Sequence, residues 1–574
     1  MDRGNLGRFL FIALGLVFAF FVLPRLTHGS SELQPLPVEH LRVTEAQGRP
    51  PEQTCDLWTP EFHAQLSSRS ATLTHFELIT AKYRKHGQPI DLSTTPDVES
   101  RRQLRLDWQN PALGLKDEDW LVANNLVDFR IVGSTKTSCD FAYADGRVEL
   151  RETVRTTGRP YELEVVATVK NLTDRPLRHA LTAYTDAWRT DHEQKAGFFG
   201  QSPLVTHVEC VPADDSSATR MRIEDFAASK FKDFPRTPLA SGDWFQAKGA
   251  PAFGAVSNAY FSHSLVPLVA PTAPSCQLQI EERWDPRRAK GRSDDPNGGA
   301  MYRARLAYPA HEVAPGQSDE VRLLSYIGPK KRSILEGAAG GGHKLIELID
   351  LGFFSAIAKI LVAFLLKVHS VVPNWGLAII VLTVTARTLL FPLTLPGVKQ
   401  MIRMRELKPE MDALNEKFKD DAQGKGLAQM ELWRKHNVNP LKGCLPQMAS
   451  MPVWFALYTT LQTAVELYNI PFLWFPDLSG PDPLFILPFV IGGTNFIQQK
   501  MMPMQGDPAQ QKMMLYLMPG IFIVMMLFLP SGLGVYMFTN GVLGIVQQQL
   551  VERHAKRAVA KGKTQWKGPE ERKG

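Results

Sequence analysis

Long apolar runs in the second half of the sequence are the feature that most restricts how this chain can fold. Between residues 343 and 552 such runs alternate with short charged loops, although the mean hydropathy of all 574 residues is only −0.15. A run of about 20 apolar residues can cross a bilayer as a helix, because a helix pairs its own backbone polar groups. We therefore expect this half to be a polytopic α-helical membrane protein.

Six runs are candidate transmembrane helices. The first, Phe9–Leu23, follows Arg3 and Arg8 and predicts an uncleaved signal-anchor over residues 1–24, with a cleaved signal peptide as the alternative. Six spans would place both termini on the same side of the membrane. The remaining candidates are a helix over residues 374–396 and, within a four-helix segment over residues 444–552, the runs 444–467, 483–499, 512–529 and 531–550.

Residues 343–373 are also apolar but carry polar side chains on one side. Ser355, Lys359 and Lys367 approximate one face of a helix, and Pro373 ends it. We expect an amphipathic helix lying in the membrane interface, with a further spanning helix as the alternative.

The positive charges of the loops orient the predicted spans. Ten lysines and arginines lie in the loop 398–443 and eight follow Leu550, whereas the loop 468–483 has none. The positive-inside rule then places a helical hairpin over residues 397–443, with a turn at AQGKG, and a basic tail over residues 553–574 in the cytoplasm. Both termini would be cytoplasmic, and the large domain before the hairpin would lie outside.

The region between the first apolar run and the others has a different character. A polar, Pro-rich stretch over residues 25–54 predicts a flexible linker. Over residues 55–342, short alternating segments separated by turn sequences such as TTGRP and NLTDRP predict strands, which end near residue 329. We expect a large antiparallel β-sandwich there.

The five cysteines form no CxxC pair, which argues against a zinc or thioredoxin-like site. Cys55, Cys139, Cys210 and Cys276 belong to the predicted β-domain, and Cys444 stands near the membrane segment. One or two disulfides are expected if the domain lies outside the cytoplasm, and unpaired buried thiols are the alternative. The sequence leaves the pairing open.

The chain carries no motif for catalysis or nucleotide binding. HExxH, Ser–His and Walker patterns are absent, and the β-domain histidines His75, His86, His192 and His263 are scattered. Several tryptophans would suit carbohydrate binding, but only by analogy with other β-sandwiches. We expect no enzyme activity, no cofactor, no metal and no small-molecule substrate.

Arg387 is the most informative single residue, because it lies about midway along the predicted span 374–396. A charge near the bilayer centre costs about 2.5–3.5 kcal/mol on insertion scales, so it normally faces water, a partner or a polar cavity. No acidic residue lies in the middle of another predicted span. We therefore expect Arg387 to face a hydrated cleft, with snorkelling of its side chain to the interface as the alternative.

Polar side chains of other spans suggest the walls of that cleft. Tyr536 and Asn540 are four residues apart, so one face of the last span is polar. For each residue alone, an interhelical hydrogen bond is the competing interpretation. The predicted cleft residues are Arg387, Thr383, Tyr536, Ser450, Gln447, Asn495 and Asn540.

Several motifs resemble the YidC membrane insertases of Gram-negative bacteria: NPLKGCLPQMASMPVWFALYTTL, TVTAR with FPLT, FLPSGLGVY and the closing QQQL. The resemblance covers nearly the whole chain. It implies a five-helix core with a hydrophilic groove formed by Arg387, Thr383 and Tyr536, and a periplasmic β-supersandwich that is similar to sugar mutarotases and largely dispensable. Met537 replaces a frequent second tyrosine, and Ser450 stands where an amide is common.

The resemblance also implies a function and partners. A nascent membrane protein would enter the groove from the cytoplasm, with or without the Sec translocon, and the hairpin and basic tail would meet the ribosome and the signal recognition pathway. The groove would solvate a short polar flank while the apolar segment passes into the bilayer of the inner membrane. The alternatives are a solute transporter or channel and an anchored periplasmic carbohydrate enzyme.

Overall fold

The computed structural model describes residues 49–85, 87–109, 116–122, 126–190, 205–223, 244–282, 286, 298–352, 354–418, 421–436, 453, 455–501 and 508–560. The predicted signal-anchor, most of the predicted linker and Cys444 lie outside these residues. The chain divides into two compact units. Residues 32–350 with 463–466 belong to a β-rich unit, and residues 351–462 and 467–574 belong to a helical unit.

The β-rich unit is built from antiparallel sheets, as the alternating sequence pattern predicts. Along the nine-stranded sheet the order is β14 (Thr219–Met221), β13 (His207–Pro212), β16 (Pro251–Ser257), β17 (Phe261–Val269), β21 (Ser318–Pro329), β10 (Glu162–Asn171), β9 (Val148–Thr156), β8 (Ser138–Ala144) and β7 (Arg130–Ser134). A five-stranded sheet contains β15 (Phe245–Gln246), β18 (Ser275–Glu282), β19 (Ala300–Ala307), β12 (Thr182–Arg189) and β6 (Leu106–Asp107).

Two smaller groups of strands complete this unit. A second five-stranded sheet contains β1 (Thr54–Trp58), β2 (Phe62–Ser67), β3 (Leu73–Leu78), β5 (Gln88–Asp91) and β4 (Arg84–Lys85). A two-stranded pair joins β11 (Leu177–His179) to β20 (His311–Val313). The last strand ends at Pro329, where the sequence predicts the end of the strands.

The core of the β-rich unit lies between the nine-stranded sheet and the sheet that contains β19. Alternate residues of β10 are buried, including Leu163 and Val165, because side chains of a strand alternate between its two faces. Gly254 of β16 faces β19, and a Cβ there would lie 3.7 Å from Leu306 and 4.0 Å from Ala304. This face-to-face packing agrees with the expected sandwich.

Two disulfides decide between the alternatives that the sequence left open. Cys55 of β1 is bonded to Cys139 of β8, and Cys210 of β13 is bonded to Cys276 of β18. The pairs close loops with sequence separations of 84 and 66 residues. All four cysteines of the β-rich unit are therefore paired.

The helical unit contains seven helices of ten or more residues with bounds in the described part of the chain. By length and composition, the window Trp375–Pro392 is long and apolar enough to cross a membrane, and Met514–Met526 is a shorter apolar helix. Residues 455–463, apart from these seven, are also helical. The seven are α1 (Ser355–Val371), α2 (Trp375–Glu406), α3 (Lys408–Lys417), α4 (Ala422–Lys435), α5 (Ile486–Met501), α6 (Pro508–Met526) and α7 (Ser531–Ala560).

Helix α1 is shorter than the segment 343–373 that the sequence assigned to it. The helix begins at Ser355, and a 3-10 turn over Leu345–Leu348 precedes it. It ends at Val371, just before Pro373, as predicted. The start was placed too early because apolar residues alone do not distinguish a helix from a buried turn.

Helix α2 does not end at residue 396, which corrects the predicted boundary. It continues through Pro392 and Pro396 to Glu406. A proline inside a helix removes one backbone donor, and side chains of neighbouring helices can satisfy the released carbonyl groups. Between the two prolines, the hydroxyl of Thr394 donates to the carbonyl of Phe391 at 3.1 Å.

The predicted hairpin consists of α3 and α4, but its turn is not at AQGKG. That sequence is the first turn of α4, because the carboxylate of Asp421 accepts from the backbone N–H groups of Gln423 and Gly424 and caps the helix. The amide of Gln429 then donates to Asn415 of α3 at 3.0 Å. At the other end, α7 reaches Ala560, so the predicted tail begins inside a helix.

Candidate functional site

Arg387 of α2 is held by two residues of α7. Its Nε donates to the side-chain oxygen of Asn540 at 2.7 Å, and its Nη2 donates to the backbone carbonyl of the same residue at 3.0 Å. Its Nη1 donates to the side-chain oxygen of Gln547 at 3.1 Å. Residues 540 and 547 are two helical turns apart and share one face of α7, so both can reach one guanidinium group.

Gln547 has a second contact with α2. Its Nε2 donates to the hydroxyl oxygen of Thr394 at 3.1 Å. Thr394 lies seven residues after Arg387, which is two turns along the same helix. One amide thus bridges two points of α2, on either side of Pro392.

The guanidinium group of Arg387 is partly buried and has no carboxylate partner in the part of the chain that the structure describes. A guanidinium carries five N–H bonds. Three of them donate to oxygen atoms of α7, so two remain for another acceptor. The site can therefore accept an additional polar or anionic group.

Tyr536 lies one turn before Asn540 on α7, and 5% of its surface is exposed. It faces the same region of the helix packing as Arg387. Thr383 was expected to line the cleft, because it precedes Arg387 by four residues. The structure places it inside the helix packing: 1% of its surface is exposed, and its hydroxyl donates to the carbonyl of Ile379 at 2.7 Å.

Helix α5 contributes Gln498, whose Nε2 donates to the backbone carbonyl of Gly541 at 2.9 Å. Asn495 is partly buried on the same helix, three residues earlier. Gln447 and Ser450, the other two predicted cleft residues, lie outside the described residues. The structure thus brings Arg387, Tyr536 and Asn540 together.

Glycines of α7 let the three helices approach closely. A Cβ on Gly544 would lie 2.5 Å from Gln498 Nε2 and 3.0 Å from Arg387 Nη2. A Cβ on Gly541 would lie 3.3 Å from the hydroxyl of Thr494. These two glycines are three residues apart and so share one face of the helix, which was the sequence signal that could have identified this packing surface.

The histidines of the β-rich unit were the other candidates that the sequence offered. No group of three or more His, Cys, Asp or Glu side chains there could hold a metal ion. His75 contacts Asp91, and His263 is buried beside Gln103. His86 and His192 lie outside the described residues.

Two protein-family models match the chain. The family described as 60Kd inner membrane protein matches residues 367–558, and the family described as YidC periplasmic domain matches residues 54–364. Together they cover the helical segment that carries Arg387 and the β-rich unit.

Two relatives and one solved structure illustrate what the chain is similar to. A membrane protein insertase YidC of Anaeromyxobacter dehalogenans strain 2CP-C is 34% identical over 526 residues, which cover 88% of this chain and 86% of that protein. A membrane protein insertase YidC of Pelobacter propionicus is 45% identical over 269 residues, 45% of this chain and 49% of that protein. A solved structure described as an active YidC insertase aligns over 87% of this chain and 92% of that chain, with 16% identity and a TM-score of 0.35.

Proposed function

This chain belongs to the YidC family of membrane protein insertases, and we propose that it moves hydrophobic segments of client proteins into the inner membrane along the polar surface around Arg387. The observation that carries the proposal is the set of contacts of that arginine. It is held by neutral oxygen atoms of Asn540 and Gln547, and two of its N–H bonds remain for a client.

The mechanism follows from the cost of moving a polar flank through lipid. A polar group that leaves water without a hydrogen-bond partner costs about 2–7 kcal/mol. Arg387, with Tyr536 and the amides of α7, would supply partners partway across the membrane. The attached apolar segment would then leave the groove for the bilayer, and burial of its surface would drive the step.

The proposed topology has six spans, both termini in the cytoplasm and the β-rich unit in the periplasm. The distribution of lysine and arginine in the loops supports this orientation. The disulfides Cys55–Cys139 and Cys210–Cys276 also support it, because disulfides persist in oxidising compartments.

The proposed partners are nascent membrane proteins, the Sec translocon, the ribosome and the signal recognition pathway. Helices α3 and α4 form a charged hairpin that could present a first contact surface on the cytoplasmic side. The lysines and arginines after Leu550 could meet ribosomal RNA through electrostatic attraction. The groove would be formed by Arg387, Tyr536, Asn540, Asn495, Gln447 and Ser450, with Thr383 packed behind it.

The proposal is tested by substituting Arg387 in the full chain, reconstituted in liposomes with a single-span client that has a short polar flank. Arg387→Ala should abolish most insertion, measured by protease protection, and Arg387→Lys should keep part of it because a positive charge remains. Thr388→Ala is the matched control, since Thr388 is exposed and its hydroxyl bonds to Val384 within α2. Undiminished insertion by Arg387→Ala for every client would refute the proposal.

A further inference from the structure

We infer that Gln547 is a displaceable positioning residue: its amide holds Arg387 in the resting state and gives way when a polar group of a client accepts from the same nitrogen. The inference rests on the function proposed for Arg387. It assigns a role to Gln547 of α7 and predicts that the contact between Gln547 and α2 weakens during insertion.

The first observation is that the amide of Gln547 is fixed at both ends. Its oxygen accepts from Arg387 Nη1 at 3.1 Å, and its nitrogen donates to Thr394 at 3.1 Å. A glutamine can do this because one side chain carries both an acceptor and a donor. The amide of Gln547 therefore contributes, together with Asn540, to the orientation of the guanidinium group relative to α2.

The second observation is the charge of the contact. Arg387 is held by neutral oxygen atoms, although a carboxylate at the position of Gln547 would bind it more strongly. The Arg387–Gln547 bond is already charge-assisted because its donor is ionised, and an ionised acceptor would add the attraction between opposite charges. A neutral amide is thus a partner that a client carboxylate, or several client carbonyls, can replace.

The third observation is the position of Thr394 between Pro392 and Pro396. Proline removes backbone donors from this stretch, so side-chain contacts contribute more to its stability than in an uninterrupted helix. When a client displaces the oxygen of Gln547 from Arg387, the same amide loses one of the two contacts that fix it. Occupation of the groove would thereby weaken the contact between α7 and the proline-containing stretch of α2.

This arrangement predicts an unusual effect of Gln547→Glu. The new carboxylate would pair with Arg387, whose charge has no carboxylate partner among the described residues, and it would accept from the hydroxyl of Thr394, which would turn away from the carbonyl of Phe391. The added counter-charge would raise the Tm of the full chain. The same pair would resist displacement and slow insertion about tenfold, the factor that corresponds to about 1.4 kcal/mol. A residue with a purely structural role would change stability and insertion in the same direction.

Three further variants isolate the contact. Gln547→Met removes both amide bonds and should lower both Tm and insertion. Gln548→Glu is the matched control, because the neighbouring Gln548 donates to the carbonyl of Met501 and does not bond to Arg387, so its Tm should not rise. In an Arg387→Gln background, Gln547→Glu should lower Tm, because the carboxylate then has no counter-charge.

The experiment measures Tm of the detergent-solubilised full chain and insertion in liposomes for these variants. A higher Tm with slower insertion in Gln547→Glu, dependent on Arg387, supports the inference. If Gln547→Glu changes Tm and insertion in the same direction, or behaves no differently from Gln548→Glu, the inference is overturned. If Arg387→Ala abolishes insertion while Gln547→Glu inserts normally, the positioning role alone fails. If both insert normally, the proposed function fails as well.

Discussion

Arg387 and Asn540 are joined by two hydrogen bonds, one from Nε to the side-chain oxygen at 2.7 Å and one from Nη2 to the backbone carbonyl at 3.0 Å. A single residue of α7 thus binds two nitrogen atoms of the guanidinium group. This relationship fixes where the charge lies between the helices, because the backbone of α7 cannot move without moving Arg387.

Asn540→Leu should impair insertion while keeping the size of the side chain. The substitution leaves Nε of Arg387 without its acceptor, and a buried donor of a charged group left unpaired costs about 1–3 kcal/mol or more. We expect a lower Tm and insertion reduced about tenfold, since 1.4 kcal/mol corresponds to that factor. Thr539→Val is the control, because Thr539 bonds to Val535 within α7. Equal insertion by the two variants would contradict this prediction.

Gly544→Ala should separate α7 from both of its neighbours. The added Cβ would lie 2.5 Å from Gln498 Nε2 and 3.0 Å from Arg387 Nη2, so at least one side chain must move. Overpacking of this kind costs about 1–3 kcal/mol. We expect a lower Tm and weaker insertion. Gly493→Ala on α5 should leave Tm nearly unchanged, because no atom lies within 4 Å of the new Cβ. A larger decrease of Tm in Gly493→Ala than in Gly544→Ala would refute the packing argument.

Removal of the Cys55–Cys139 bond should destabilise the β-rich unit. For loops of 84 and 66 residues the chain-entropy account gives about 4–5 kcal/mol per disulfide. Cys55→Ser with Cys139→Ser should lower the Tm of this unit, as should a strong reductant. Cys444→Ser is the control, since Cys444 belongs to neither pair. Maleimide labelling of Cys55 in unreduced protein isolated from cells would contradict the pairing.

Acid should destabilise the β-rich unit through two buried histidines. Burial and the charge of Arg189 lower the pKa of His263 to about 3. Burial and the charge of His311 lower the pKa of His179 to about 4. Both values lie below the pKa of about 6.5 in an unfolded chain. Between these folded values and pH 6.5, the unfolded state therefore binds more protons than the folded state. Stability is therefore complete above pH 6.5 and is lost as the pH falls.

The size of this effect can be stated for one residue. At pH 5, the lowered pKa of His263 should make the free energy of unfolding about 2 kcal/mol smaller than above pH 6.5. Each pH unit below the pKa of the unfolded state removes about 1.4 kcal/mol. His263→Asn does not titrate and should flatten the dependence of Tm on pH between 6.5 and 4. The measurement is thermal unfolding of the full chain over that range. An unchanged slope would show that His263 is accessible to protons in the folded state.

The sequence alone was sufficient to predict which kind of residue forms the site. A lone arginine in an apolar run requires a polar environment, and the four-residue spacing of Tyr536 and Asn540 indicates one face of a helix. The contact of Thr394 with Gln547 and the burial of Thr383 depend on how α2 is rotated about its axis. That rotation is set by packing against α7 and leaves no local pattern in the sequence.

The errors in the element boundaries have equally local causes. Pro396 predicts a helix end, but α2 continues through both prolines to Glu406, and Gln547 of α7 bonds to Thr394 between them. The glycines of AQGKG predict a turn, but Asp421 caps the backbone N–H groups there and starts α4. The pairing of the four cysteines depends on which strands of different sheets lie side by side, β1 with β8 and β13 with β18, and cysteine spacing does not contain that information.

The central claim is that a client segment occupies the polar surface beside Arg387. The most direct test places a photo-reactive phenylalanine derivative at Tyr536 of the full chain and exposes it to a ribosome-stalled client. Tyr516 on α6, which is 65% exposed, is the matched aromatic control. The account predicts a client adduct at position 536 that exceeds the adduct at position 516 and is lost in Arg387→Ala. Equal adducts at both positions, or an adduct at 536 that persists in Arg387→Ala, would contradict it.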